Sequence, residues 1–125
     1  MWHIIEGEAG AIYAAEHNAV AVIVDALRAS ATAAALLQAG AIEIQCFDDV
    51  DAARNHKASI PEALLYGERG GLPPEGFDYG NSPLEAEHAA GLPVLFTTTT
   101  GTARLVQSAG AAAAYMGSCV NALAL

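Results

Sequence analysis

Five short apolar runs recur along the chain, at residues 19–24, 41–47, 63–66, 93–96 and 111–116. Each gives way to glycine or polar residues and then, in most cases, to a helix-forming stretch. Strands of this kind alternating with helices build a parallel sheet, because parallel neighbours need a crossover that returns the chain to the same edge. The pattern predicts an α/β fold: a three-layer domain with a largely parallel sheet and helices on both faces. The first run, Ala-Val-Ala-Val-Ile-Val, is expected to be buried on both faces. Ser30 is placed to cap the next helix, which stops at Gly40; Asp48 or Asp49 opens another, through Lys57. Ser82-Pro-Leu-Glu85 has the form of a capping box with proline at the first helical position, and its helix should end at Gly91. Gly101 and Thr102 open a helix that Gly110 closes, and a last one should begin near Val120. An edge strand at residues 2–5 and a helix at 9–16 are expected to precede the first run.

A chain of 125 residues suits one domain, residues 1–125. Alanine accounts for 29 of those residues, so the core should be close-packed and poor in aromatic bulk. Five Lys and Arg stand against 14 Asp and Glu, a net charge of −9. Such a surface repels phosphate backbones and anionic lipid, which excludes nucleic acid and membrane as partners. Two cysteines without a CxxC pair make neither a disulfide framework nor a zinc site and fit a reducing, cytoplasmic setting. No secretory leader is expected at the N-terminus. The uncharged stretch 105–125 is broken by Gln107, Gly110, Gly117, Ser118 and Asn121, so it reads as a buried strand and a helix start rather than a membrane span.

Open parallel sheets bind ligands beyond the carboxyl ends of their strands. Those ends deliver Asp25, Arg28 and Ser30, then Glu68, Arg69, Gly70 and Gly71, then Thr98, Thr99, Thr100, Gly101 and Thr102, then Ser118. Three of only five cations, Arg28, Arg69 and Arg104, follow strands directly. In so acidic a chain that placement suggests a local anion site. Glycine- and threonine-rich turns before helices offer free backbone N–H groups, and arginine forks bind oxyanions in bidentate fashion. Asp25, Glu68 and Asp78 could together hold a hard cation such as Mg²⁺. Metal, cations and amides around an oxyanion are the equipment of phosphoryl transfer.

Each feature has a plainer reading. Asp25 could cap a turn, Gly70 and Gly71 could serve a left-handed turn, Asp78 could make an Asx-turn, Asn81 could only position the following helix, and Ser118 could be a cap. Asp49-Val-Asp51 has the spacing of an aspartyl-phosphate motif, but acids are favourable at a helix N-terminus in any case. Cys46 lacks an arginine six residues on, so no cysteine-phosphatase loop is present, and Cys119 should be buried. His3, His17, His56 and His88 have no metal-ligand spacing.

Four segments resemble the 2-phosphosulfolactate phosphatase family, the ComB-like proteins: Val22-Ile-Val-Asp-Ala-Leu-Arg-Ala-Ser30, Gly67-Glu-Arg-Gly-Gly-Leu-Pro-Pro-Glu-Gly-Phe-Asp-Tyr-Gly-Asn-Ser-Pro83, Thr97-Thr-Thr-Thr-Gly-Thr102 and Gly117-Ser-Cys-Val-Asn-Ala122. The likeness implies a ComB-like α/β fold and a Mg²⁺-dependent phosphatase. The family reaction converts 2-phosphosulfolactate to 3-sulfolactate and phosphate, a step of coenzyme M biosynthesis. Strand-end clustering together with this resemblance puts Asp25, Arg28, Glu68 and Arg69 forward for catalysis. Ser30, Gly70, Gly71, Thr98, Thr99, Thr100, Gly101, Thr102, Ser118 and Asn121 fall to the substrate, and Asp25, Glu68 and Asp78 to the metal. Thr100 stands where the family pattern has Asn. Ala103 replaces its basic residue, with Arg104 one position later. Family members are about twice as long, so the chain is expected to be the N-terminal half of a longer protein; a homo-oligomer, a dimer, is expected as well. The alternative function is an anion-binding module, or an inactive fragment, without turnover.

Overall fold

The computed structural model describes residues 1–125 as a mixed α/β domain. In chain order it holds α1 (Glu8–Glu16), β1 (Val20–Val24), α2 (Ala29–Ala39), β2 (Glu43–Phe47), α3 (Val50–Lys57), β3 (Leu64–Gly67), a 3₁₀ helix (Pro83–Ala89), β4 (Pro93–Thr97), α4 (Gly101–Gln107) and β5 (Ala113–Gly117). All strand pairs are parallel, in two sheets: β2-β4-β3 with β4 central, and β1-β5. Helix α4 packs on strands of both sheets and joins them.

β4 explains the three layers. Its residues alternate between faces. Val94 and Phe96 join Ala29, Ala33, Leu36, Tyr66, Ala86 and Ala89 beneath α2 and the 3₁₀ helix. Leu95 faces the other way, onto Ala53, Ala63 and Leu65 beneath α3. Alanines supply most of the helix surface in both clusters, which brings helix and sheet close together. Tyr66 is wholly buried and donates its hydroxyl to the Glu85 carbonyl at 2.7 Å; burial pushes its pKa far up, so the phenol stays protonated.

Several local expectations are corrected. Residues 2–5 form no strand, and Trp2 and Ile4 are exposed. Residues 119–124 make turns rather than a helix, and Cys119 is exposed. Cys46 is the more covered, half-buried thiol, and desolvation raises its pKa to about 11. β1 is covered on one face only: Val20, Val22 and Val24 point outward. Ser82 does cap, accepting from the Leu84 N–H, but Glu85 turns back to the Gly80 N–H and the element is 3₁₀ rather than α. Ser30 lies inside α2, where Oγ accepts from the Asp25 N–H and donates to the Ile23 carbonyl. Asp49 caps α3 as expected, accepting from the Ala52 N–H. No helix is long and apolar enough to cross a membrane.

Candidate active site

A cavity of about 560 Å³ opens where β1, β3 and β4 end. It is lined by Val24, Asp25, Ala26, Leu27, Arg28, Glu68, Asn81, Thr99 and Thr100. The rule that ligands sit beyond the carboxyl edge of a parallel sheet thus selects this place. Asp25 and Arg28 come from the β1–α2 turn, Glu68 from the end of β3, and Thr99 and Thr100 from the β4–α4 turn.

The five cations separate cleanly. Arg54 pairs with Asp51, and Lys57 with Asp78. Arg104 donates to Gln107 Oε1 at 2.8 Å. Arg69 donates to the carbonyls of Glu68 and Asp48 and to Thr97 Oγ1, tying the end of β3 to the β2–α3 turn and to β4. Arg69 does not line the cavity. The guanidinium of Arg28 alone has no hydrogen bond or ion pair within the protein, and it is the one at the cavity. Its fork is free for an oxyanion, and α2 begins at the next residue, with no side chain capping its N–H groups.

Glu68 is a clamp. Oε1 accepts from the Thr99 N–H at 2.7 Å and Oε2 from the Gly71 N–H at 3.0 Å. Burial works to raise its pKa. The N–H groups of Thr99 and Gly71, the Thr99 side chain and the nearby Arg69 charge outweigh it, and the carboxyl is held below its ordinary range. Gly70 (φ 61°) and Gly71 (φ 85°) form the tip of a two-residue turn, where Arg69 and Leu72 exchange backbone hydrogen bonds. Both central positions need positive φ, which glycine supplies without strain.

Other expected substrate groups are engaged elsewhere. Thr98 and Thr102 are buried and bond each other: the Thr98 N–H donates to Thr102 Oγ1 at 2.7 Å, and the Thr102 N–H donates to Thr98 Oγ1 at 3.1 Å. They shape the turn that presents Thr99 and Thr100. Gly101 lets α4 approach: a Cβ there would lie 2.5 Å from the Ala29 Cβ and 2.9 Å from Asp25 Oδ2. Ser118 donates to Asn121 Oδ1, and Asn121 Nδ2 donates to the Met116 carbonyl at the end of β5; Ser118 lines an adjoining apolar groove of about 340 Å³ with Val22, Val24 and Leu125. Ser30 is buried under the cavity wall.

The three carboxylates expected to hold Mg²⁺ are not brought together. Asp78 Oδ2 accepts from Lys57 Nζ and from the Leu65 N–H, and no group of three His, Cys, Asp or Glu residues is close enough to hold a metal ion. Asp25 is the one cavity carboxylate that accepts no hydrogen bond. The donor set does not fit a protein cage. It fits a Mg²⁺ ion that keeps most of its waters and reaches the protein through Asp25, the way this ion usually accompanies phosphate.

Asn81, expected only to position the following helix, also lines the cavity. Asn81 is 6% exposed, and its Oδ1 is buried without a hydrogen-bond partner. An orphaned buried acceptor costs about 1–3 kcal/mol. No local signal in the sequence marks it, because an Asn before Ser-Pro looks like any turn residue.

Residues 9–125 match the model of the family described as 2-phosphosulpholactate phosphatase. Proteins named probable 2-phosphosulfolactate phosphatase are similar along the chain. That of Carboxydothermus hydrogenoformans is 43% identical over 111 residues, covering 89% of this chain and 46% of its own length. That of Deinococcus radiodurans is 47% identical over 85 residues, covering 66% and 35%. That of Caldicellulosiruptor saccharolyticus is 41% identical over 107 residues, covering 84% and 44%. The chain spans less than half the length of these curated relatives. With the family match running from α1 to Leu125, the chain belongs to the 2-phosphosulpholactate phosphatase family.

Proposed function

We propose that the cavity binds a small, highly anionic phosphate ester and hydrolyses it as a phosphoric monoester hydrolase, with 2-phosphosulfolactate as substrate and 3-sulfolactate and phosphate as products. The observation that carries this reading is the pairing of Arg28, the one cation with no protein partner, with the free carboxylate of Asp25 on one cavity wall. Arg28 grips the phosphoryl oxygens in bidentate fashion, and the hydroxyl of Thr100 donates to a remaining anionic group. Asp25 orients a water and takes its proton. The water oxygen bonds to phosphorus, the ester P–O bond breaks, the departing oxygen takes a proton from solvent water, and Asp25 returns its proton to solvent. A Mg²⁺ ion held by Asp25 would neutralise phosphoryl charge. Glu68, which holds the Thr99 and Gly71 turns, and Arg69, which ties β3 to Asp48 and Thr97, are assigned positioning roles in this reading.

The same reading proposes a cytoplasmic protein, consistent with two free cysteines, and a homo-oligomer formed through the uncovered face of β1. The test is phosphate release from 2-phosphosulfolactate with and without chelator. Arg28→Ala and Asp25→Asn should each lower turnover by about 10²-fold or more, and chelation should abolish it. Turnover in Arg28→Ala equal to wild type refutes the assignment. Phosphate binding without any release in the wild type favours the anion-binding alternative.

A further inference from the structure

We propose that Ser30 is a positioning residue for Asp25: its buried hydroxyl fixes the end of β1 and so sets where the Asp25 carboxylate stands in the cavity. This rests on the hydrolase reading above and deepens it, because Asp25 is the group that takes the proton from water.

Asp25 makes its backbone hydrogen bonds with one residue. Its N–H donates to Ser30 Oγ at 3.2 Å, and its carbonyl accepts from the Ser30 N–H at 3.1 Å. The same hydroxyl donates to the Ile23 carbonyl at 3.1 Å, so one oxygen bridges two residues at the strand end. A hydroxyl can donate and accept at a single atom, which alanine cannot. Ser30 is wholly buried and does not line the cavity, so a ligand does not compete for these bonds.

The carboxylate is bounded on its other side. A Cβ at Gly101 would lie 2.9 Å from Asp25 Oδ2, so the acid stands against the start of α4. Arg28 is anchored independently: its carbonyl accepts from the Thr32 N–H at 2.9 Å, a bond in which the Ser30 side chain has no part. Loss of the Ser30 hydroxyl therefore loosens the base and leaves the anion grip in place. A shift of about 1 Å in a reacting group can cost about 10²-fold in rate.

The test uses Ser30→Ala and Ser30→Thr in the whole chain. It reads kcat for 2-phosphosulfolactate, affinity for inorganic phosphate, amide hydrogen exchange at Asp25 by NMR, and the thermal midpoint. Ser30→Ala should lower kcat at least tenfold and speed exchange of the Asp25 N–H at least tenfold, with phosphate affinity within twofold of wild type. Ser30→Thr keeps the hydroxyl and should restore kcat to within threefold of wild type, even where its added methyl lowers the midpoint. Wild-type kcat in Ser30→Ala overturns the inference, as does an Asp25 N–H that stays protected, or a Ser30→Thr chain no faster than Ser30→Ala. Equal losses of kcat and phosphate affinity also overturn it, because they mark a residue that only holds the domain together. A wild-type chain that releases no phosphate refutes the hydrolase reading before any variant is made and removes this inference with it, a result distinct from the failure of Ser30 alone.

Discussion

Glu68 shows how one side chain can join two turns at the edge of a cavity. Its two oxygens fasten the tip of the Gly70-Gly71 turn to the Thr99 turn, segments 28 residues apart. Hydrogen bonds from N–H to a charged acceptor are worth more than neutral ones, about 1.5–3 kcal/mol each. Because the folded carboxyl titrates below its ordinary value of 4.5, the clamp is fully present above that pH. It is lost as pH falls through the lowered value, where the unfolded chain already binds the proton. Glu68→Gln keeps one acceptor oxygen and removes the charge. It should lower the thermal midpoint near neutral pH, and the difference from wild type should shrink as pH drops below about 4.5. Melting both proteins across that range checks it; a constant difference at every pH would show that the charge contributes nothing. Arg28 and Arg69 look alike in the sequence, each a cation just after a strand. They differ in what stands opposite. Asp48 and Thr97, each more than 20 residues from Arg69, absorb its fork, while nothing in the protein meets that of Arg28.

Among the elements, α4 is the one most tightly bound to the site. Its first residue packs against the first residue of α2 and against Asp25 at once, which is why Gly101 carries no side chain. Gly101→Ala forces α4 away from α2 or displaces the Asp25 carboxylate. Overpacking of this kind costs about 1–3 kcal/mol. The expected outcome is a lowered thermal midpoint together with lower phosphate release, whereas Ala103→Gly, two residues on, should weaken the helix without affecting release. A Gly101→Ala chain with wild-type midpoint and turnover would show that the close approach is not required. Most element positions were legible because they rest on local rules: β4 is a continuous apolar run, Asp49 caps α3, and Gly40 ends α2 in a left-handed conformation. The 3₁₀ helix was not, because Glu85 had two N–H groups within reach and the fold of the preceding loop decided for Gly80. The strand-end rule located the cavity. It could not say which of its hydroxyls and amides would be consumed in holding the turns together, and Thr98, Thr102, Ser118 and Asn121 were.

At the scale of the whole molecule, the two sheets are unequally finished. The three-stranded sheet is covered on both faces, as parallel sheets ordinarily are. In the β1-β5 pair, the register sets Val20, Val22 and Val24 beside Ala113, Tyr115 and Gly117. That outward face carries no charge. Val20 and Val24 remain 63% and 72% exposed. The sequence could not reveal this, since a β-branched run reads the same whatever covers it. Contiguous apolar surface drives association in water, and a two-stranded parallel pair gains from any further cover. The isolated chain should therefore associate as concentration rises, through β1 and β5 and not through the cavity. Val20→Lys combined with Val22→Lys places two charges on that face and should hold the chain monomeric by light scattering, with its affinity for inorganic phosphate preserved. A wild type that stays monomeric at every concentration, or a double variant that still associates, would place the contact elsewhere.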